Sequence, residues 1–191
     1  MGTRCNIRVI NGTGDELWFY RHYDGYPQEV IPSLTPLMER LREGTVRTSV
    51  GQFSGWIIVL GNQQRTPSSS YGNGNAEHDW KVGHYEPTTC MHSDIAYLYT
   101  IDLDSKSLRV TCAFGRMPDE DIDYMEHTKT EIWEKNRQAG LTDDDLIDSN
   151  WLRYDTLDWC LEEYKVERFF SLKQVIDFMQ DYDIPELGDD E

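Results

Sequence analysis

Positive charge is in short supply in this 191-residue chain: 18 Lys and Arg stand against 35 Asp and Glu, for a net charge of −17. The acid excess excludes direct binding of DNA or RNA through the part of the chain that carries it, because like charges repel. Long apolar runs are also missing. The longest clean one, Trp56 to Leu60, falls far short of the ~20 residues that span a membrane. Cysteine is sparse and scattered, at Cys5, Cys90, Cys112 and Cys160. That spread excludes a disulfide framework and suits reduced core thiols. No apolar signal core follows Met1, so a cytoplasmic protein is expected. Gly2 is followed by Asn6 where the myristoylation pattern wants Ser or Thr. A phosphate-binding loop, a Gly-x-Ser-x-Gly elbow and a Cys-His signature are all absent from the sequence, which removes the common nucleophile and nucleotide motifs. Gly72-Asn73-Gly74 lacks the Gly, Lys and Ser/Thr that would make it a phosphate loop.

What is present is aromatic and acidic. Aromatics make up 12% of the residues, too many for a disordered chain. The length suits one domain with a real core. The charge is unevenly placed. Residues 1–118 hold 11 Lys+Arg and 12 Asp+Glu, a net of −1, whereas residues 119–191 hold 7 and 23, a net of −16. Trp133, Trp151, Trp159, Phe169, Phe170, Ile176 and Phe178 lie among those acids at periodic spacing, so this part should fold. Only the end, 185–191, reads as a solvated tail.

Period-2 alternation at Cys5, Ile7 and Val9, then turn chemistry at Asn11-Gly12-Thr13-Gly14, then an aromatic stretch from Leu17 to Tyr23, predicts a hairpin. Thr35 with Pro36 reads as an N-cap and first helical position, with Leu37, Met38 and Leu41 as the apolar stripe. Phe53, Trp56, Ile57 and Leu60, at i, i+3, i+4 and i+7, predict a buried helix ending at Gly61. Residues 62–80, rich in Gln, Ser, Asn and Gly, read as a long loop. Asp94 to Leu103 and Leu108 to Phe114 form a second hairpin turning at Asp104-Ser105-Lys106. Ile95, Tyr97, Tyr99 and Ile101 are expected on one face. From Pro118 a long helix is predicted to Gly140. Thr142 with Asp145, and Ser171 with Gln174, read as capping boxes. The expected fold is α+β: a small antiparallel sheet of about four strands from two hairpins, helices on one face, and an acidic helical part. The expected division is 1–118 for the sheet region, 119–184 for acidic helices packed on it, and 185–191 for the tail.

Three constellations bear on chemistry. Arg21, His22, Asp24 and Tyr26 gather a cation, an imidazole and a carboxylate at a strand end, a candidate binding corner; on a strand, however, Arg21 and His22 face opposite ways. His78, His84, Cys90 and His92 are four metal-ligand types, but their spacing lacks the tight pairs of structural zinc sites, so no metal or other cofactor is expected. The acids Asp119, Glu120, Asp121, Asp123, Asp143, Asp144, Asp145, Asp148, Asp155, Asp158, Glu162 and Glu163 form a field on predicted helices. Asp143-Asp144-Asp145 lacks the alternation and central glycine of a calcium loop. A solvated surface explains such runs in the ordinary case. A folded acidic surface also has a sharper use, since it can occupy the Lys/Arg-lined groove with which a protein meets nucleic acid.

The opening Thr3-Arg4-Cys5-Asn6-Ile7-Arg8-Val9, followed by the aromatic strand into Asp24-Gly25-Tyr26-Pro27, resembles a family of small uncharacterised phage and mobile-element proteins. The resemblance covers about the first 45 residues and implies a mobile-element origin and a bacterial host, with no activity or site residues to carry over. In composition the chain is similar to phage DNA mimics of the antirestriction and anti-CRISPR kind. These features lead to the expectation of a non-enzymatic inhibitor that binds a nucleic-acid-handling defence enzyme. The alternatives are a metal-dependent hydrolase using His22, Asp24 and the His78–His92 region, or a virion or interaction module contacting through its aromatic strand.

Overall fold

The computed structural model describes residues 2–63, 85–92, 94–113, 117–142, 144–146 and 150–154. It contains strands β1 (Cys5–Ile10) and β2 (Glu16–Arg21), helices α1 (Pro27–Arg42) and α2 (Val50–Gln63), strands β3 (Glu86–Thr88), β4 (Tyr97–Asp102) and β5 (Ser107–Cys112), helix α3 (Asp119–Gln138) and strand β6 (Leu152–Tyr154). The fold is α+β. The two expected hairpins are present, β1 with β2 and β4 with β5, both antiparallel. The sheet, however, has six strands in the order β3-β2-β1-β4-β5-β6 and is mixed. β1 pairs with β4 in parallel, Ile7 beside Tyr99, and β6 adds to β5 in parallel. Parallel neighbours need a crossover rather than a tight turn, and α1 and α2 lie between the hairpins in sequence. β3 contains Pro87, which has no N–H for a ladder and so suits an edge.

The helices cover one face of the sheet. Cys5, Ile7, Val9, Phe19, Tyr97, Tyr99, Ile101, Leu108 and Val110 meet Val30, Leu34 and Met38 of α1, Phe53 and Ile57 of α2, and Met125 of α3 in one buried cluster, which also takes in Trp151 and Leu152. Trp18, Tyr20, Met91, Ile95, Leu98 and Ala113 form a smaller cluster. Ile95 therefore belongs with Leu98 and not, as its spacing suggested, with Tyr97 and Tyr99. It lies before β4 begins, where strict alternation no longer holds.

Helix α1 departs most from expectation. It begins at Pro27, with Tyr26 in the N-cap position at φ −83°, ψ 159°, and runs through both Pro32 and Pro36. Thr35 is thus a mid-helix residue whose Oγ1 donates to the Ile31 carbonyl at 2.8 Å. Magnitudes explain the outcome. Each interior proline costs about 3 kcal/mol. Val30, Ile31, Leu34, Leu37, Met38 and Leu41 are all buried on a single stripe, and each such side chain contributes about 1.5–3 kcal/mol. The stripe outweighs the two rings.

Helix α2 keeps the expected period and extends to Gln63. Among its described large side chains it buries Val50, Phe53 and Ile57, while Trp56 is 49% exposed. α3 ends as expected, with Gly140 at φ 87° beyond its last turn. The Thr142 capping box is formed. Thr142 Oγ1 donates to the Asp145 carboxylate at 2.5 Å, and the Asp145 N–H reaches back to Thr142 Oγ1 at 3.4 Å. The Ser171 box, the 62–80 loop beyond Gln63 and the tail lie outside the described residues. No helix among the described residues is long and apolar enough to cross a membrane.

Candidate functional site

The Asp24-Gly25-Tyr26-Pro27 motif is a strand-to-helix corner. Asp24 takes the left-handed region at φ 54°, which a short polar side chain tolerates. Gly25 sits so close to β1 that its N–H donates to the Thr3 carbonyl at 2.9 Å, while its own carbonyl accepts from Tyr99 Oη at 2.9 Å. The Tyr26 carbonyl accepts the first helical N–H groups, from Glu29 and Val30. Pro27 then supplies the preset φ of a first helical residue.

The corner does not gather its four polar residues. Arg21 turns inward and is 5% exposed. It donates to the Tyr23 carbonyl at 2.8 Å and to Tyr85 Oη at 3.2 Å, with its guanidinium 5.5 Å from the Tyr85 ring centroid. Tyr85 in turn bonds Ser33 Oγ, which donates to the Val30 carbonyl. Burial raises the Tyr85 phenol, against the lowering pull of Arg21. Among the described residues this cation is held by a carbonyl, a phenol and a ring face, contacts that offset part of the cost of burying a guanidinium.

His22 points the other way, out of the core. Its Nδ1 lies 3.0 Å from Tyr20 Oη. His92 stacks on the same Tyr20 ring, with centroids 4.0 Å apart and planes 13° from parallel. The His92 N–H donates to Asn6 Oδ1 at 2.7 Å, and Asn6 Nδ2 donates to the Phe19 carbonyl, also at 2.7 Å. The structure therefore joins one residue from each of two sequence constellations on a single tyrosine. Among the described residues no three His, Cys, Asp or Glu side chains converge to hold a metal ion. His92 Nε2 is 3.2 Å from Thr88 Oγ1, which also reaches the Cys90 carbonyl at 3.4 Å. His78 and His84 lie outside the described residues. Cys5 is fully buried and burial pushes its thiol up to about 12, with Arg21 pulling the other way, so it is no nucleophile at neutral pH.

The acidic field divides on α3. Asp119, Glu120 and Asp123 are exposed, as are Glu126, Glu131 and Glu134. At 100° per residue these six carboxylates fall within an arc of about 140°. Asp121 lies on the opposite side and is 5% exposed. It is removed from the acidic surface because its carboxylate accepts from Tyr97 Oη and from Gln28 Nε2 at 2.7 Å. Burial first, then that bond, push the Tyr97 phenol far above its ordinary range. The first-turn acids also have a local purpose, since negative charge at a helix N-terminus meets the macrodipole. Asp144 and Asp145 are exposed. Asp143, Asp148, Asp155, Asp158, Glu162 and Glu163 lie outside the described residues. Replacing Asp121 by Asn is expected to lower stability by about 2 kcal/mol, because the amide cannot accept from both Tyr97 and Gln28 on charged oxygens. Urea denaturation followed by tryptophan fluorescence measures this.

Compared with known proteins, the chain matches no family model, no curated protein and no solved structure.

Proposed function

We propose that this chain is a binding protein whose acidic helical face occupies the cation-lined groove of a nucleic-acid-handling enzyme, competing there with DNA or RNA. The observation that carries the reading is the arc on α3. From Asp119 to Glu134 the helix rises about 22 Å and presents six exposed carboxylates along it. One strand of a duplex sets its phosphates about 3.4 Å apart along the axis, so the helix offers a similar linear density of negative charge on a rigid support. The net of −16 over residues 119–191 adds to the field. The resemblance of the first 45 residues to phage and mobile-element proteins favours a bacterial defence effector, of CRISPR or restriction type, as the partner. Inhibition then follows from exclusion and requires no catalytic residue.

The test is a triple charge reversal, Asp123→Lys, Glu131→Lys and Glu134→Lys, which leaves the first-turn acids and their helix in place. Tagged protein is incubated with a lysate containing CRISPR and restriction effectors. The native chain is expected to retain a nucleic-acid-binding effector that salt or added DNA displaces, and the triple variant to lose it while keeping its helical circular dichroism. Equal retention by the folded variant would remove the mimicry mechanism.

A further inference from the structure

The two interior prolines of α1, Pro32 and Pro36, are both exposed. They stand along one wall of a groove of ≈ 510 Å³ between α1 and α3. Ile31 and Trp151 are buried beneath it, while Tyr124 and Ile132 of α3 are half-buried on the facing wall. The rim is open, with His127, Glu131 and Lys135 all exposed. The polar groups around this apolar floor are mainly acceptors. Pro36 has no N–H, so the Pro32 carbonyl lacks its ordinary helical donor. Thr35 commits its hydroxyl proton to the Ile31 carbonyl at 2.8 Å and can otherwise only accept. Lys135 Nζ reaches Glu39 Oε1 on α1, and His127 Nε2 lies 3.2 Å from Glu131 Oε1. Each of these contacts uses one carboxylate oxygen and leaves Oε2 able to accept another donor. Burial raises the Tyr124 phenol, and Glu131 and Glu29 raise it further, so the ring lies in a negative field.

We propose that this groove is a socket for an arginine side chain of the protein partner, its methylenes along Pro32, Pro36 and Ile132 and its guanidinium among Glu39, Glu131 and the Pro32 carbonyl. The partner's identity rests on the function proposed above, since an enzyme groove that meets phosphates presents such side chains. An apolar channel rimmed by acceptors and negative charge selects a long cation. Arginine fits better than lysine: its planar fork gives five N–H groups to several acceptors at once and packs on a ring such as Tyr124, while its stem covers apolar surface. The volume, within the ~300–1,000 Å³ of ligand sites, is ample for one side chain. Glu131 belongs both to the acidic arc and to this rim. The arc attracts a cationic surface from a distance, and the socket fixes its register.

The full chain is titrated at physiological salt with acetyl-arginine amide and with its neutral isostere acetyl-citrulline amide, read by calorimetry and NMR shifts, so that no effector is needed. The expected result is saturable binding of the arginine probe with Kd below ~10 mM and binding of the citrulline probe about tenfold weaker or more. Glu39→Gln and Glu131→Gln are each expected to weaken the arginine probe about threefold. Pro36→Ala returns a helical N–H to the Pro32 carbonyl, so it should weaken the probe while raising the urea midpoint, a pairing that a damaged fold would not give. Glu86→Gln, at an exposed acid on β3, should change nothing. Asp123→Lys with Glu134→Lys alters the arc without touching the groove, and it should leave the probe bound even though it weakens capture of an effector. The socket is overturned by absence of saturation, by equal binding of the citrulline probe, or by loss of probe binding in the folded Asp123→Lys, Glu134→Lys chain, which would trace the binding to the general field of the arc.

Discussion

Replacing Gly25 by alanine is expected to destabilise the fold by about 3 kcal/mol or more, the largest effect expected of alanine at any of the described glycines. A Cβ at that position would lie 2.8 Å from the Arg4 carbonyl carbon and from the Cys5 nitrogen, and 2.9 Å from Cys5 Cβ. Two of these are backbone atoms of the central strand pair and cannot swing aside. Moving the corner outward instead breaks the hydrogen bonds that Gly25 makes to Thr3 and Tyr99, and it displaces the start of α1. Gly55 provides the contrast. It lies in α2 with open space where a Cβ would stand, so Gly55→Ala should stabilise by about 1 kcal/mol through helix propensity alone. Urea midpoints of the two variants measure the pair. A Gly25→Ala protein as stable as the native chain would contradict the close approach of the corner to β1.

The same corner shows what was legible in the sequence. Asp-Gly-Tyr-Pro announces a sharp turn before a helix, because Asp tolerates positive φ, Gly admits close backbone and Pro suits a first helical position. Each residue does that here, yet Thr35-Pro36 carries a similar signal and is overruled by packing on both sides of it. Local chemistry cannot rank two start signals when the deciding term is a stripe buried against strands far away in sequence. The hairpins were readable because alternation and turn residues are local, and so was the Thr142–Asp145 box. β3 and β6 were not, since three residues are too few to show a period. The parallel contact of β1 with β4 depends on which hairpin edge meets which, and the sequence states no preference.

The candidate sites follow the same rule. The acids of α3 were visible as a run, but only helical phase separates Asp121 from its neighbours and sends it to Tyr97. The meeting of His22 and His92 on Tyr20, and of Arg109 with Arg153, comes from strand order and register. A signal did exist for the second pair: Arg109 alternates with Leu108 and Val110, and Arg153 sits between Leu152 and Tyr154, so each is an exposed residue between apolar neighbours. Nothing local says that the two strands are neighbours.

Alkaline pH is expected to unfold this protein before its arginines lose charge. Cys5, at 0% exposure, has its thiol raised from an ordinary 9.0 to about 12 by burial, partly opposed by Arg21. Burial likewise raises the phenols of Tyr85, Tyr97 and Tyr99 above an ordinary 10.0. In each case the native state holds its proton after the unfolded chain has released its own. Above pH 9 the unfolded state therefore binds fewer protons, and stability falls as pH rises. The Cys5 contribution is intact below pH 9 and is lost progressively up to about 12, on the order of 4 kcal/mol in all. The tyrosines add to the loss from pH 10 upward. A domain has only about 5–15 kcal/mol to lose, so the transition should complete near pH 11 to 12. Urea midpoints at pH 8, 9, 10 and 11 trace the fall. Cys5→Ala removes the thiol, and although the smaller side chain lowers stability at every pH, it should flatten the curve between pH 9 and 10 and leave the tyrosine-driven fall above 10. A midpoint constant from pH 8 to 11 in the native chain would mean that these groups ionise in the folded state as readily as in the unfolded one. Solvent would then have to reach the cluster of Cys5, Tyr85 and Tyr99 beneath α1, and the closed packing of that helix over the sheet would be refuted with it.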